Sequence, residues 1–356
     1  MSIRSPRAWR ALALGASLLL AACTPAASPA PAPPAAPQPP GAAAPQAAPS
    51  AAPTSPPPRQ GVRIPYAAPS LGSLPLWLTY DGGYFEREGL DVTMEYIASG
   101  TTLAQALLSG DVPMASAGLE TTVSTGVQGA DLVIVGVSLD RPLFWISAPP
   151  SIAAPVDLRG KRVGVSRFGS ASDTVLRYYL PTVGLQPERD VAILQLGGNP
   201  EMVAALETGA TDAAVLSPPA VFQARRNGAP PLVDLGDTDL QFYQSSLVTS
   251  RRFLADRSDA ARRAIRAYAQ AWPTLQDENA ALASLLRYSG EPDRDILLET
   301  YHAGLRRFPE TPVPRPEAIR QALQELGARE PAALQFSPEQ FIAPEYMAEA
   351  VAARRP

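Results

Sequence analysis

The sequence predicts an α/β fold built as two lobes with mainly parallel sheets, and three observations carry that prediction. Short apolar strands alternate with helical segments from residue 62 onward, the pattern of strand–helix–strand units. The same order of elements occurs twice, with LAQALLSGDVPMASAG and MVAALETGATDAAVLSP sharing an Ala-Leu-x-x-Gly core before a short strand of small residues. Two apolar stretches, LFWIS (143–147) and QFYQSSLVT (241–249), lie between the units as crossings. The chain thus leaves lobe one (62–147), builds lobe two (148–244) and returns to lobe one (245–356), with a ligand cleft between lobes joined by two crossing strands.

In the first unit, 62–66 reads as a strand and 67–73 as a loop. The amphipathic stretch 74–85 ends in Glu86-Arg87-Glu88-Gly89, where Gly89 suits a left-handed helix terminus. Residues 90–97 (LDVTMEYI) alternate as a strand. Ser99, Gly100, Thr101 and Thr102 open a helix with hydroxyls as N-cap candidates. A short strand at 112–117 precedes a helix starting at 118–122, and DLVIVGVSL (131–139) is apolar enough for a strand buried on both faces. The second unit runs through a strand at 161–166, a loop at 167–172 and a helix at 173–180. A strand at 191–196, a helix from Gly197-Gly198-Asn199-Pro200 and a strand at 212–216 complete it. Helices are predicted at 258–279, 280–288, 293–307 and 315–326.

Composition removes much of the enzyme repertoire. One cysteine in 356 residues excludes an internal disulfide and any multi-cysteine zinc site, and His302 is the only histidine for a catalytic triad. A formal charge of −4 argues against a broad basic face, so no nucleic-acid partner is expected. No metal and no cofactor is called for.

The first sixty residues differ from the rest. Arg4, Arg7 and Arg10 precede an apolar run of twelve residues (11–22), which is too short to span a bilayer. It ends in Leu20-Ala21-Ala22-Cys23, which resembles a bacterial lipobox, implying a signal peptide at 1–22 and lipidation of Cys23. Each buried methylene of such an anchor contributes roughly 0.8 kcal/mol. Loss of the three leader arginines leaves a mature charge of −7. The Pro/Ala-rich segment that follows has no large apolar side chain, so 23–61 reads as a disordered tether with a reach on the order of 100 Å.

PLWLTYDGGYFEREGLDV (75–92), SGTTLAQALLSGDVPMASAG, DLRGKRVGVSRFGSAS and ALETGATDAAVLSPP occur in an order that resembles substrate-binding proteins of the nitrate/sulfonate/taurine and thiamine-pyrimidine family. The likeness is close over 62–254 and holds beyond that only by arrangement. It implies a type II periplasmic-binding-protein fold and a monomeric receptor delivering a solute to the permease and ATPase subunits of an importer. A sensory receptor for a membrane signalling protein is the alternative. A synthase of the thiamine-pyrimidine kind is disfavoured, because that group uses a cysteine-rich motif with a pocket histidine and lysine. Here only Cys23, His302 and Lys161 are available.

In such a fold the ligand lies at the carboxyl ends of the strands, where helix N-termini favour an anion or a carbonyl. The candidates at those junctions are Ser70 and Ser73; Ser99, Thr101 and Thr102; Glu120 and Thr121; Phe168, Gly169, Ser170 and Ser172; and, more weakly, Asn199 and Ser217. Trp145 and Tyr243 on the crossings, with Phe168, are candidate aromatic walls, while Trp77 fits the core better. Glu120 suits an amine or a pyrimidine amino group, unless it serves its own helix start. Arg141 or Arg167 suits a sulfonate or carboxylate. The sequence leaves both charges open.

Overall fold

The computed structural model describes residues 59–97, 100–327 and 330–354. The leader, Cys23, most of the tether and Ser99 lie outside them. The described residues fall in one compact unit, Pro56–Pro356.

Lobe one begins with β1 (Gln60–Arg63), followed by a 3-10 turn at Leu71–Ser73 and α1 (Leu74–Asp81). The single helix predicted at 74–85 is broken after Asp81. Gly83 takes a left-handed φ of 67°, and a separate turn, α2 (Tyr84–Arg87), follows. Neither is α1 amphipathic: Leu74 through Thr79 are all buried. Then come β2 (Leu90–Thr93), α3 (Gly100–Ser109), β3 (Met114–Ala117), α4 (Leu119–Val127) and β4 (Leu132–Leu139). All eight residues of β4 are buried, as its unbroken apolar run requires.

The chain enters lobe two at β5 (Trp145–Ser147). This segment, expected within a crossing, is a strand of the second sheet, antiparallel to two neighbours. Next are β6 (Arg162–Val165), α5 (Ala171–Thr182), β7 (Ala192–Gln195), α6 (Asn199–Glu207), β8 (Ala213–Leu216), α7 (Ala220–Arg226) and β9 (Pro231–Asp234). The return strand β10 (Ser245–Ser250) lies between β3 and β4 of the first sheet. The remaining helices are α8 (Arg251–Asp256), α9 (Ser258–Ala271), α10 (Glu278–Tyr288), α11 (Arg294–Leu305), α12 (Pro316–Gly327) and α13 (Pro344–Ala352). The helix expected over 258–279 stops at Ala271, because Pro273 turns the chain into a 3-10 segment and Asp277 caps α10 through its side chain.

Sheet two has the order β7-β6-β8-β5-β9, with β6 parallel to both β7 and β8. In lobe one, β1 and β2 pair in parallel, but β10 joins β3 to β4 antiparallel to both, so the expectation of mainly parallel sheets is corrected: the returning chain runs as a strand between β3 and β4. A bridge between Tyr66 and Ser116 links these two groups. Leu143 packs in one core and Phe144 in the next, while Phe242 and Tyr243 repeat the switch on the way back. The crossings run side by side there, since Leu143 N donates to the Gln244 side-chain oxygen.

A third element spans the lobes. Ile296 of α11 is buried among Met202, Val203, Leu216 and Val221 of lobe two. Around it, Arg225 makes two 2.6 Å contacts with Glu299, and Arg226 pairs with Asp293. These pairs are largely exposed and contribute at most about 1 kcal/mol each. The buried isoleucine, worth about 1.5–3 kcal/mol, is the stronger tie. Gly304 is needed at the other end of α11, where a Cβ would lie 1.6 Å from Leu71 Cδ2.

Candidate functional site

The register of the sheets locates the cleft. Ala117 faces Ser246 and Leu216 faces Trp145, so β3 and β8 both end beside the crossings. β6 and β7 run parallel to β8, and the Tyr66–Tyr96 and Tyr66–Ser116 bridges place the ends of the first two strand segments at the same level. The carboxyl ends of the parallel strands in both lobes therefore point toward the opposite lobe, and the helices α4, α5 and α6 start there.

These three helices share a trait. Their N-cap residues, Gly118, Ser170 and Gly198, are extended and supply no capping side chain, whereas α8, α10 and α11 are capped by Ser250, Asp277 and Asp293. At α4 and α6 a carboxyl from the first turn folds back instead. A Cβ on Gly118 would lie 3.0 Å from Glu120 Oε2, and one on Gly198 would lie 3.0 Å from Glu201 Oε2. Glu120 Oε1 is inaccessible to solvent and has no partner. Burial raises this carboxyl from 4.5 to about 8, opposed only by a bond to its own backbone. Glu120 thus holds its proton well above the usual carboxylate range.

The start of α5 is built differently. Ser166, Ser170 and Ser172 form a cluster of hydroxyls 2.9–3.1 Å apart, and Ser172 Oγ also accepts from Ser166 N. Gly169, at φ 73°, donates its N–H to Asp173 Oδ2, and buried Asp173 is held by Arg177 at 2.6 Å. Phe168 N donates to Gln195, leaving the ring 56% exposed.

Other expected residues are placed as follows. Ser73 is buried and donates to Ala68 O; Ser70 is buried at the turn before α1. Thr101 and Thr102 lie in the first turn of α3, and Thr121 in that of α4. Asn199 donates to Ser217 Oγ at 2.9 Å, joining two candidates across α6 and β8. Trp145 is half-buried against Phe222, in the first turn of α7, and Arg307. Tyr243 is corrected from wall to core. It is 5% exposed, and its hydroxyl both donates to Arg315 O and accepts from Arg315 N, leaving no polar face for a ligand. Trp77 is fully buried. Lys161 precedes the amino end of β6, far from the junctions, and His302 is on α11.

Sequence reasoning missed Tyr66 and Tyr96. Their rings stack at 5.7 Å at the carboxyl ends of the first two strand segments, and Tyr96 is 50% exposed. Burial, followed by the charge of Glu201 on lobe two, raises the Tyr96 hydroxyl. The rule that selected the serines applies equally to the last residues of those strands; it was applied only to loops.

Two α/β lobes, two adjacent crossings and helix starts meeting at a cleft define a type II binding-protein architecture. Residues 72–280 match the family described as NMT1/THI5 like, and the chain belongs to that family. A comparison with curated proteins finds no match. Among solved structures, the chain resembles the ligand-binding component of an ABC-type import system from Staphylococcus aureus, solved with zinc bound (TM-score 0.69, 16% identity, 82% of this chain and 99% of that one). It also resembles the periplasmic aliphatic sulphonate binding protein SsuA from Escherichia coli (TM-score 0.65, 21% identity, 80% and 92%). The nitrate-binding protein NrtA from Synechocystis PCC 6803 is a third (TM-score 0.67, 14% identity, 83% and 89%). Among the described residues, no group of three His, Cys, Asp or Glu side chains is placed to hold a metal.

Proposed function

We propose that this protein is an extracytoplasmic solute receptor that closes its lobes on a small organic ligand and presents it to the permease of an ATP-driven importer, without chemical turnover. Lipidation of Cys23 would tether it to the membrane, with the Pro/Ala segment as spacer. The ligand is one that offers hydrogen-bond donors, an amine or amino-pyrimidine, in preference to a sulfonate or nitrate. The carrying observation is the pair of carboxyls folded over the starts of α4 and α6, Glu120 and Glu201. They take the positions where an anion would gain most from the helix dipole. The exposed rings of Tyr96 and Phe168 supply apolar walls on opposite lobes.

One observation favours the anionic reading. The start of α5 carries Ser170 and Ser172 beside exposed Arg167. A thermal-shift panel of amines, amino-pyrimidines, sulfonates, nitrate and short carboxylates separates the two. Saturation at 100 times Kd adds about 2.7 kcal/mol, which is readily seen. Stabilisation by donor-bearing solutes supports the proposal. Stabilisation by sulfonates that is lost in Ser172→Ala moves the ligand class to anions. No stabilisation by any solute, together with turnover, removes the receptor reading.

A further inference from the structure

A cavity of about 1050 Å³ lies at the flank of the hinge, beside the β4 and β9 edges of the two sheets, whereas α4, α5 and α6 start at the opposite edges, after β3, β6 and β7. Lobe one supplies Arg141, His302, Ala303, Leu305, Arg306 and Arg307, while lobe two supplies Trp145, Asp234 at the end of β9 and the turn that follows it. Its size matches that of pockets that enclose small organic ligands.

Its electrostatics are opposite to those of the cleft. Arg307 is fixed in place. Its guanidinium donates to Asp234 at 2.8 Å and to Pro142 O at 3.1 Å, and it lies 5.9 Å from the Trp145 ring centre. Asp237 approaches the same guanidinium at 3.8 Å, so both cavity carboxylates face Arg307 and compensate it. Arg141 and Arg306 are exposed and, among the described residues, neither guanidinium forms an ion pair or hydrogen bond; the charge of Arg141 acts on neighbouring Asp140. A half-buried indole beside two uncommitted guanidiniums fits a flat apolar body ending in a carboxylate.

We infer that the hinge cavity is a second ligand site, separate from the interlobe cleft, that takes a small aromatic carboxylate with its ring against Trp145 and its charge on Arg141 and Arg306. The proposal does not depend on which solute fills the cleft.

The test is calorimetric titration of naphthalene-2-carboxylate into the wild type, the Arg141→Ala/Arg306→Ala double variant and Phe168→Ala. Both arginines are exposed, and unchanged melting of the double variant shows that its fold is kept. The expected result is saturable binding to the wild type and Phe168→Ala, weakened at least tenfold in the double variant. The uncharged naphthalene-2-carboxamide should bind at least tenfold more weakly than the acid. Absence of binding at millimolar concentration overturns the inference. So does affinity that survives the double substitution, or that falls in Phe168→Ala instead, because the probe would then occupy the cleft.

Discussion

Glu120→Gln removes a carboxyl that folding makes reluctant to ionise. Burial lifts its pKa from 4.5 to about 8. Each pKa unit is about 1.4 kcal/mol, so holding this group ionised in the folded state costs at most roughly 5 kcal/mol. The carboxyl is buried, and relaxation of its surroundings on ionisation lowers the cost, so we expect about 1–3 kcal/mol to be realised. The sign follows from linkage. Below pH 4.5 both states hold the proton and there is no penalty. Between pH 4.5 and 8 the unfolded state ionises while the folded state does not, so wild-type stability falls as pH rises. Above pH 8 the penalty is constant. Glutamine keeps the shape and never ionises. The assay is urea denaturation of both proteins from pH 5 to 9, in which the advantage of the variant should grow to about pH 8 and then level. A difference that is flat with pH, or that favours the wild type at pH 8, refutes the argument.

Four other outcomes follow from the same geometry. Phe168→Ala should leave the ligand-free protein within about 0.5 kcal/mol of wild type, because the ring is exposed, yet weaken the stabilising solute about tenfold; melting curves with and without solute check both. Gly304→Ala should lower stability by about 1–3 kcal/mol by driving Leu71 and α11 apart, read by denaturant unfolding. Ile296→Ala should cost about 2–5 kcal/mol, and Glu299→Gln no more than about 1, in the same measurement. Cys23→Ser should move the protein from the membrane fraction to the soluble fraction; retention in membranes would count against lipidation.

The alternation of strands and helices and their order were legible because each buried strand needs its own apolar run and is followed by a helix of different period. β4 is the clearest case: DLVIVGVSL predicted full burial, and every residue of the strand is buried. The break between α1 and α2 was not legible from periodicity, since Gly82-Gly83 fits both a tolerated glycine pair and a turn. β9 and α7 were missed because PLVD and AVFQARR are too short for either period to declare itself. At the site, the position of the serines before α5 was legible from the loop that opens that helix, but Ser170 bonds the neighbouring hydroxyls and does not cap the helix. The role of Glu120 was left open between ligand and helix, and the structure shows its carboxyl turned back on its own helix start. Tyr243 misled because a crossing position places a side chain near the cleft without saying which way it faces. The hinge cavity is assembled from residues 141–145, 234–237 and 302–307, a distance in sequence that no local pattern bridges.

As a receptor, the protein should close its lobes on a solute it does not transform. Small-angle X-ray scattering of the protein with and without the solute that raises its melting temperature tests this directly, with mass spectrometry of the solute afterwards. A smaller radius of gyration in the bound state and a chemically unchanged solute are expected. An unchanged radius at saturation, or a solute converted to product, would contradict the receptor reading.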